Sequence, residues 1–103
     1  MLIKVGADIN QARHSGDTPL FIAAQKNHMT VLAMLLKAGV DVNSRRNNDG
    51  CTPLFIAAID GHEAVVVALL EAGAQMTATD AGYTPLMAAM NGGHTGVVAA
   101  LTR

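Results

Sequence analysis

TPLFIAA at residues 18–24 is repeated further along the chain. The same seven letters stand at residues 52–58, and a variant, TPLMAAM, stands at residues 84–90. The first two copies begin 34 residues apart, and the last two begin 32 residues apart. Each threonine is followed by a histidine after ten residues, and the first two by a glycine after 21, which gives the set His28, His62, His94, Gly39 and Gly73. Internal repetition at this period indicates a stack of small repeated units.

Each copy predicts a pair of short helices. The threonine suits the helix N-cap, and the proline suits the first helical position, where a missing N–H costs nothing. Asn27 and Gly61 stand where the first helix should end. The second helix carries apolar residues at helical spacing and ends at Gly39 or Gly73. From one such glycine to the next threonine the chain varies between 11 and 13 residues, which predicts an exposed, hairpin-like finger.

The spacing resembles that of the ankyrin repeat, a unit of about 33 residues with two helices and a projecting hairpin. The match lies in residues 18–24, 28 and 35–43, then in 50–58, 61–62 and 69–74, and finally in 82–86 and 93–94. The resemblance implies an all-α repeat solenoid of stacked helix-turn-helix repeats with β-hairpin fingers. The family usually has a histidine after Thr-Pro-Leu. Here Phe21, Phe55 and Met87 replace it, so apolar surface takes the place of a hydrogen bond to the threonine.

The repeats set the expected domain organisation. We expect one ankyrin-repeat domain over residues 1–103, made of a remnant (1–12), two repeats (13–45 and 46–79) and a truncated terminal repeat (80–103). Solenoids usually need terminal caps with polar outer faces, and neither end of this sequence has one. The ends therefore predict a piece of a longer array. The alternative is a small protein that covers its apolar ends by self-association.

Composition excludes several kinds of partner. Seven basic and eight acidic residues give a net charge of −1, so no overall positive field attracts nucleic acid or an anionic membrane. The longest apolar run, residues 64–70, is far shorter than the roughly 18 residues of a membrane span. Cys51 is the single cysteine and cannot form an internal disulfide, which favours a reducing, intracellular and hence cytoplasmic setting.

The residues that could carry chemistry do not form a reactive group. His28, His62 and His94 lie one repeat apart, so they cannot converge on one zinc ion, and each is predicted to bond to loop backbone. Cys51 has no histidine partner by motif and is predicted to be a partly buried thiol. No spacing brings two carboxylates together for general acid–base catalysis. We therefore expect no enzyme activity, no metal and no cofactor. The methionines are expected to fill the core, namely Met29, Met34, Met76, Met87 and Met90.

The resemblance implies a non-enzymatic protein-binding module that uses its concave face. In similar proteins the finger tips and the exposed end of the first helix bind the partner. The matching positions are His14, Ser15, Asp17, Gln25, Lys26, Asn47, Asn48, Asp49, Cys51, Ile59, Asp60, Ala81, Tyr83 and Asn91, with Arg45 and Arg46 beside them. Tyrosine and arginine are frequent interface anchors, although a solvated finger tip is an alternative reading of the two arginines. The alternatives for the whole chain are a self-assembling structural unit or a regulatory segment of a larger multidomain protein.

Overall fold

The computed structural model describes residues 18–45 and 49–102. Within these ranges the chain forms six helices: α1 (Pro19–Gln25), α2 (Met29–Lys37), α3 (Pro53–Asp60), α4 (Glu63–Glu71), α5 (Pro85–Asn91) and α6 (Thr95–Leu101). The same ranges contain no β-strand, so the part of each expected finger that lies in them is a loop. The remnant predicted at residues 1–12 lies outside the described residues. The all-helical repeat architecture is confirmed.

Each first helix begins at a capping threonine. The Oγ1 atoms of Thr18, Thr52 and Thr84 accept hydrogen bonds, at 3.1 to 3.2 Å, from the backbone N–H three residues later. A proline follows each threonine at the first helical position. The caps satisfy donors that a helix N-terminus otherwise leaves unpaired. This confirms the role predicted for the Thr-Pro pairs.

The turn between the two helices of a repeat requires a left-handed residue. Asn27 has a φ of 59°, and Gly61 and Gly93 have φ values of 75° and 68°. Asparagine and glycine tolerate this conformation better than other residues. The backbone N–H of the following histidine then donates to a carbonyl oxygen of the first helix, as His62 does to Ala57 at 2.9 Å. The turn closes as the sequence predicted.

The helices stack in two layers. One layer consists of α1, α3 and α5, the other consists of α2, α4 and α6, and the core lies between them. Leu32, Leu54 and Leu69 are fully buried there. Each such side chain stabilises the fold by about 1.5–3 kcal/mol relative to an exposed one. Alanines that are also fully buried let neighbouring helices approach closely, so successive repeats share one continuous core.

A second, smaller apolar cluster lies on the loop side of the first helices. It contains Phe21, Cys51, Phe55 and Ala88. The two phenylalanines occupy the place of the histidine that the family usually has, and both are buried. Cys51 is 6% exposed, so the partly buried thiol expected from the sequence is a buried one.

The methionines do not fill the core, and that prediction was wrong. Met29, Met34, Met76, Met87 and Met90 are all exposed. The clearest case is Met90, which is 62% exposed, whereas its counterparts Ala24 and Ala58 are 0% exposed. The next helix pair covers those alanines, but no described residue packs over Met90. The exposed surface of Met87, Met90, Val98 and Leu101 is called the open end below.

Candidate functional site

Two neighbouring loops are tied together by an ion pair. Arg45 Nη2 lies 2.8 Å from Asp80 Oδ1 and donates a hydrogen bond to it. The backbone N–H of Asp80 donates to the carbonyl oxygen of Asp49 at 2.9 Å. Gly50 lies against this pair, since a Cβ atom on it would stand 2.6 Å from Arg45 Nη2 and would also meet the Asp80 carboxylate. The missing side chain of Gly50 therefore gives the two loops room to meet.

The loop before α5 forms a compact turn that places Tyr83. The N–H of Thr79 donates to the carbonyl oxygen of Tyr83 at 2.8 Å, and the N–H of Gly82 donates to that of Thr79 at 2.9 Å. A third hydrogen bond, 3.3 Å long, runs from the Tyr83 N–H to Thr79 Oγ1. Gly82 allows the turn with a φ of 88°. The aromatic side chain is 51% exposed on a fixed backbone.

Tyr83 stands between two adjoining cavities, which together are called the trough. The first, the apolar lobe, has a volume of about 390 Å³ and is lined by Phe55, Ile59, Tyr83, Ala88, Asn91 and Gly92. The second, the acidic lobe, has a volume of about 370 Å³ and is lined by Asp49, Cys51, Phe55, Thr79, Asp80, Ala81 and Tyr83. Phe55 and Tyr83 belong to both lobes. The trough thus joins an apolar concavity to one that carries two carboxylates.

Two histidines hold the neighbouring repeats in place beside the trough. His62 Nε2 lies 3.0 Å from the carbonyl oxygen of Gln25, and His94 Nε2 lies 3.1 Å from that of Ile59. A carbonyl oxygen only accepts, so Nε2 carries the proton in both bonds. The histidine rings are therefore structural, and the prediction that they bond to loop backbone is confirmed for these two.

The comparison with known families follows from this geometry. A family model described as ankyrin repeats in three copies matches residues 1–80, and one described as an ankyrin repeat matches residues 81–103. The chain belongs to the ankyrin-repeat family. Ankyrin repeats are generally protein–protein interaction modules, and the family is typically non-enzymatic. The individual repeat boundaries given in the sequence analysis stay a prediction.

The trough collects part of the binding surface that the ankyrin resemblance implied. The site residues that it brings together are Asp49, Cys51, Ile59, Ala81, Tyr83 and Asn91. Others lie outside it, namely Gln25, Lys26, Arg45 and Asp60. Six lie outside the described residues: His14, Ser15, Asp17, Arg46, Asn47 and Asn48. The structure adds Phe55, Thr79, Asp80 and Ala88 to the lining. A sequence signal existed for Phe55 alone, because it departs from the histidine that ankyrin repeats usually have there.

Other kinds of site have no support in the described ranges. No group of three or more His, Cys, Asp or Glu residues within residues 18–45 and 49–102 could hold a metal ion. Among those same residues no helix has the length and apolar character needed to cross a membrane. The remaining concavity of about 300 Å³ lies between α4 and α6, on the opposite layer of the ankyrin stack.

Proposed function

We propose that this chain is a non-enzymatic protein-binding module that holds a segment of another protein in the trough. The observation that supports the proposal is the exposure of Ile59 and Tyr83 over a buried apolar surface of Phe55 and Ala88. Ile59 is 44% exposed, and Tyr83 is 51% exposed. Exposed apolar side chains around a concavity are typical of binding sites, and tyrosine is among the residues that most often contribute large binding energies.

Preorganisation strengthens the proposal. Binding costs free energy when side chains and loops must become ordered. Three hydrogen bonds already fix the backbone around Tyr83, and the bond from His94 fixes the carbonyl group of Ile59. A partner would therefore meet a shaped surface, so more of its contact energy would appear as affinity.

The wider binding surface follows from the ankyrin resemblance. We propose that Gln25, Lys26, Arg45 and Asp60 form the rim of the contact, together with the site residues outside the described ranges. We further propose that the partner is a protein and not nucleic acid or membrane, since the net charge is −1. The single cysteine supports a cytoplasmic setting.

The test is selection followed by mapping. A phage library of random 12-residue peptides is selected on the immobilised chain, and the peptides obtained are titrated into the isotope-labelled chain while amide chemical shifts are recorded. We expect the largest shifts at Phe55, Ile59, Asn91 and residues 79–83. Peptides that bind but shift only the amides of α2, α4 and α6 would contradict the proposal, and so would a selection that yields no binder.

A second candidate function is self-assembly, and the open end favours it. Val98 and Leu101 are partly exposed, whereas their counterparts Val66 and Leu69 are fully buried by the following helix pair. With Met87 and Met90 they form an apolar surface without a charged side chain among its four members. Two copies of the chain could cover it by placing these surfaces together. Sedimentation equilibrium over a wide concentration range tests this candidate.

A further inference from the structure

The two lobes differ in chemistry, and this difference specifies the partner further than the family does. We propose that the trough selects a protein segment in which an aliphatic or aromatic side chain lies next to a lysine or arginine. The apolar side chain occupies the apolar lobe, and the basic group occupies the acidic lobe. This inference rests on the proposed function, because it names the segment that the same site would bind.

The apolar lobe accounts for the first half of the motif. Its walls are Ile59 and Tyr83, and its base is formed by Phe55 and Ala88, which are 7% and 6% exposed. None of its lining residues is charged. A volume of about 390 Å³ accommodates one large aliphatic or aromatic side chain. Because the base is already dry, a charged group placed there would lose hydration without gaining an ionic partner.

The acidic lobe accounts for the second half. The Asp80 side chain is 62% exposed, and its orientation is fixed by the bond from Arg45 to Oδ1. An ionised carboxylate offers about four acceptor positions, so Asp80 can bind Arg45 and a second cationic donor at once. Asp49 supplies a second carboxylate to the same lobe, and its Oδ1 accepts from the N–H of Cys51 at 3.0 Å.

Tyr83 links the two requirements. Its ring lines both lobes, so a group in one lobe and a group in the other contact the same side chain. A lysine or arginine beside this ring gains a cation–π contribution when it lies within about 6 Å of the ring centre. The apolar and basic groups of the partner must therefore be close together, which two neighbouring side chains of one segment achieve.

The experiment uses the peptides selected on the complete chain. We expect their shared motif to contain an apolar residue beside lysine or arginine. Affinity is then measured for the wild-type chain and for Asp80→Asn, with each peptide in its selected form and with its basic residue replaced by glutamine. We expect Asp80→Asn to weaken binding of the selected peptide about threefold to fivefold, as for an exposed ion pair, and to leave the glutamine peptide unaffected.

Two control variants isolate the trough. Glu71→Gln removes an exposed carboxylate at the end of α4, and Met34→Ala removes an exposed apolar side chain from α2. Neither should change the affinity. Replacement of the peptide's basic residue alone tests the acidic lobe on an unaltered chain, so the test does not depend on the stability of Asp80→Asn.

The outcomes separate the two proposals. Peptides that need Tyr83 but show no preference for a basic residue, or that prefer an acidic one, would overturn the inference and leave the proposed function standing. Peptides that are insensitive to both Tyr83→Ala and Ile59→Ala would overturn the proposed function, and the inference with it. Equal losses from Asp80→Asn for both peptide forms would show that Asp80 only positions the loop, which also overturns the inference.

Discussion

His94 Nε2 donates a hydrogen bond to the backbone carbonyl oxygen of Ile59 across 3.1 Å, and this bond joins the last described turn to the end of α3. The ring lies between two glycines: a Cβ atom on Gly61 would stand 2.6 Å from Nδ1, and one on Gly92 would stand 2.6 Å from Nε2. Ile59 is also a wall of the apolar lobe. The contact that joins two repeats therefore also positions a residue of the candidate site.

We expect His94→Ala to lower the free energy of unfolding by about 1 kcal/mol, the usual net contribution of one hydrogen bond. Unfolding in urea, followed by circular dichroism, measures the change. The matched control is His28→Ala, because His28 holds the equivalent position in the first described repeat and its ring has no hydrogen bond to another described residue. Equal losses in the two variants would show that the bond to Ile59 contributes nothing.

We expect Thr52→Ala to destabilise the chain by about 1–2 kcal/mol. Thr52 is almost fully buried, and its Oγ1 accepts from the Phe55 N–H at 3.1 Å. Loss of the hydroxyl leaves a buried backbone donor without a partner. Thr52→Ser retains the acceptor and should cost clearly less. Thermal unfolding of both variants provides the comparison, and a serine variant as unstable as the alanine variant would mean that the lost methyl group and not the cap explains the effect.

These residues show why much of the fold could be predicted from the sequence. A capping threonine, a proline at the first helical position and a glycine or asparagine in a left-handed turn act within a few residues of themselves. Their three copies placed every described helix pair. The exposure of Met90 could not be predicted in this way, because the same position is buried in the two preceding repeats and only the order of stacking distinguishes them.

The candidate site was predictable in part. The resemblance pointed to Tyr83 and Ile59 because they occupy the finger and the end of the first helix. The pairing of Arg45 with Asp80 joins residues that are 35 positions apart, and no local pattern marks it. The division of the trough into an apolar and an acidic lobe depends on that pairing, so it emerged only from the structure.

We expect Gly50→Ala to be more destabilising than Gly73→Ala. Both glycines have a positive φ, 74° and 93°, so each alanine costs roughly 1–2 kcal/mol from the left-handed conformation alone. A Cβ atom on Gly73 meets nothing within 4 Å, whereas one on Gly50 collides with Arg45 and Asp80. Denaturant unfolding of the two variants measures the difference, which reports the close approach of the loops. Equal destabilisation would mean that the Arg45–Asp80 pair moves aside without cost.

The open end supplies the last prediction. If two copies cover this surface, the wild-type chain should gain apparent mass as its concentration rises, and Met90→Glu should remain a monomer, because a carboxylate in a dry apolar contact loses its hydration. Sedimentation equilibrium measures both. Met34→Glu is the matched control, since Met34 is an exposed methionine on α2, away from the open end, and this variant should associate as the wild type does. A wild-type chain that is monomeric at every concentration would eliminate self-assembly through this surface, and the trough would then be the remaining interaction site argued from the described residues.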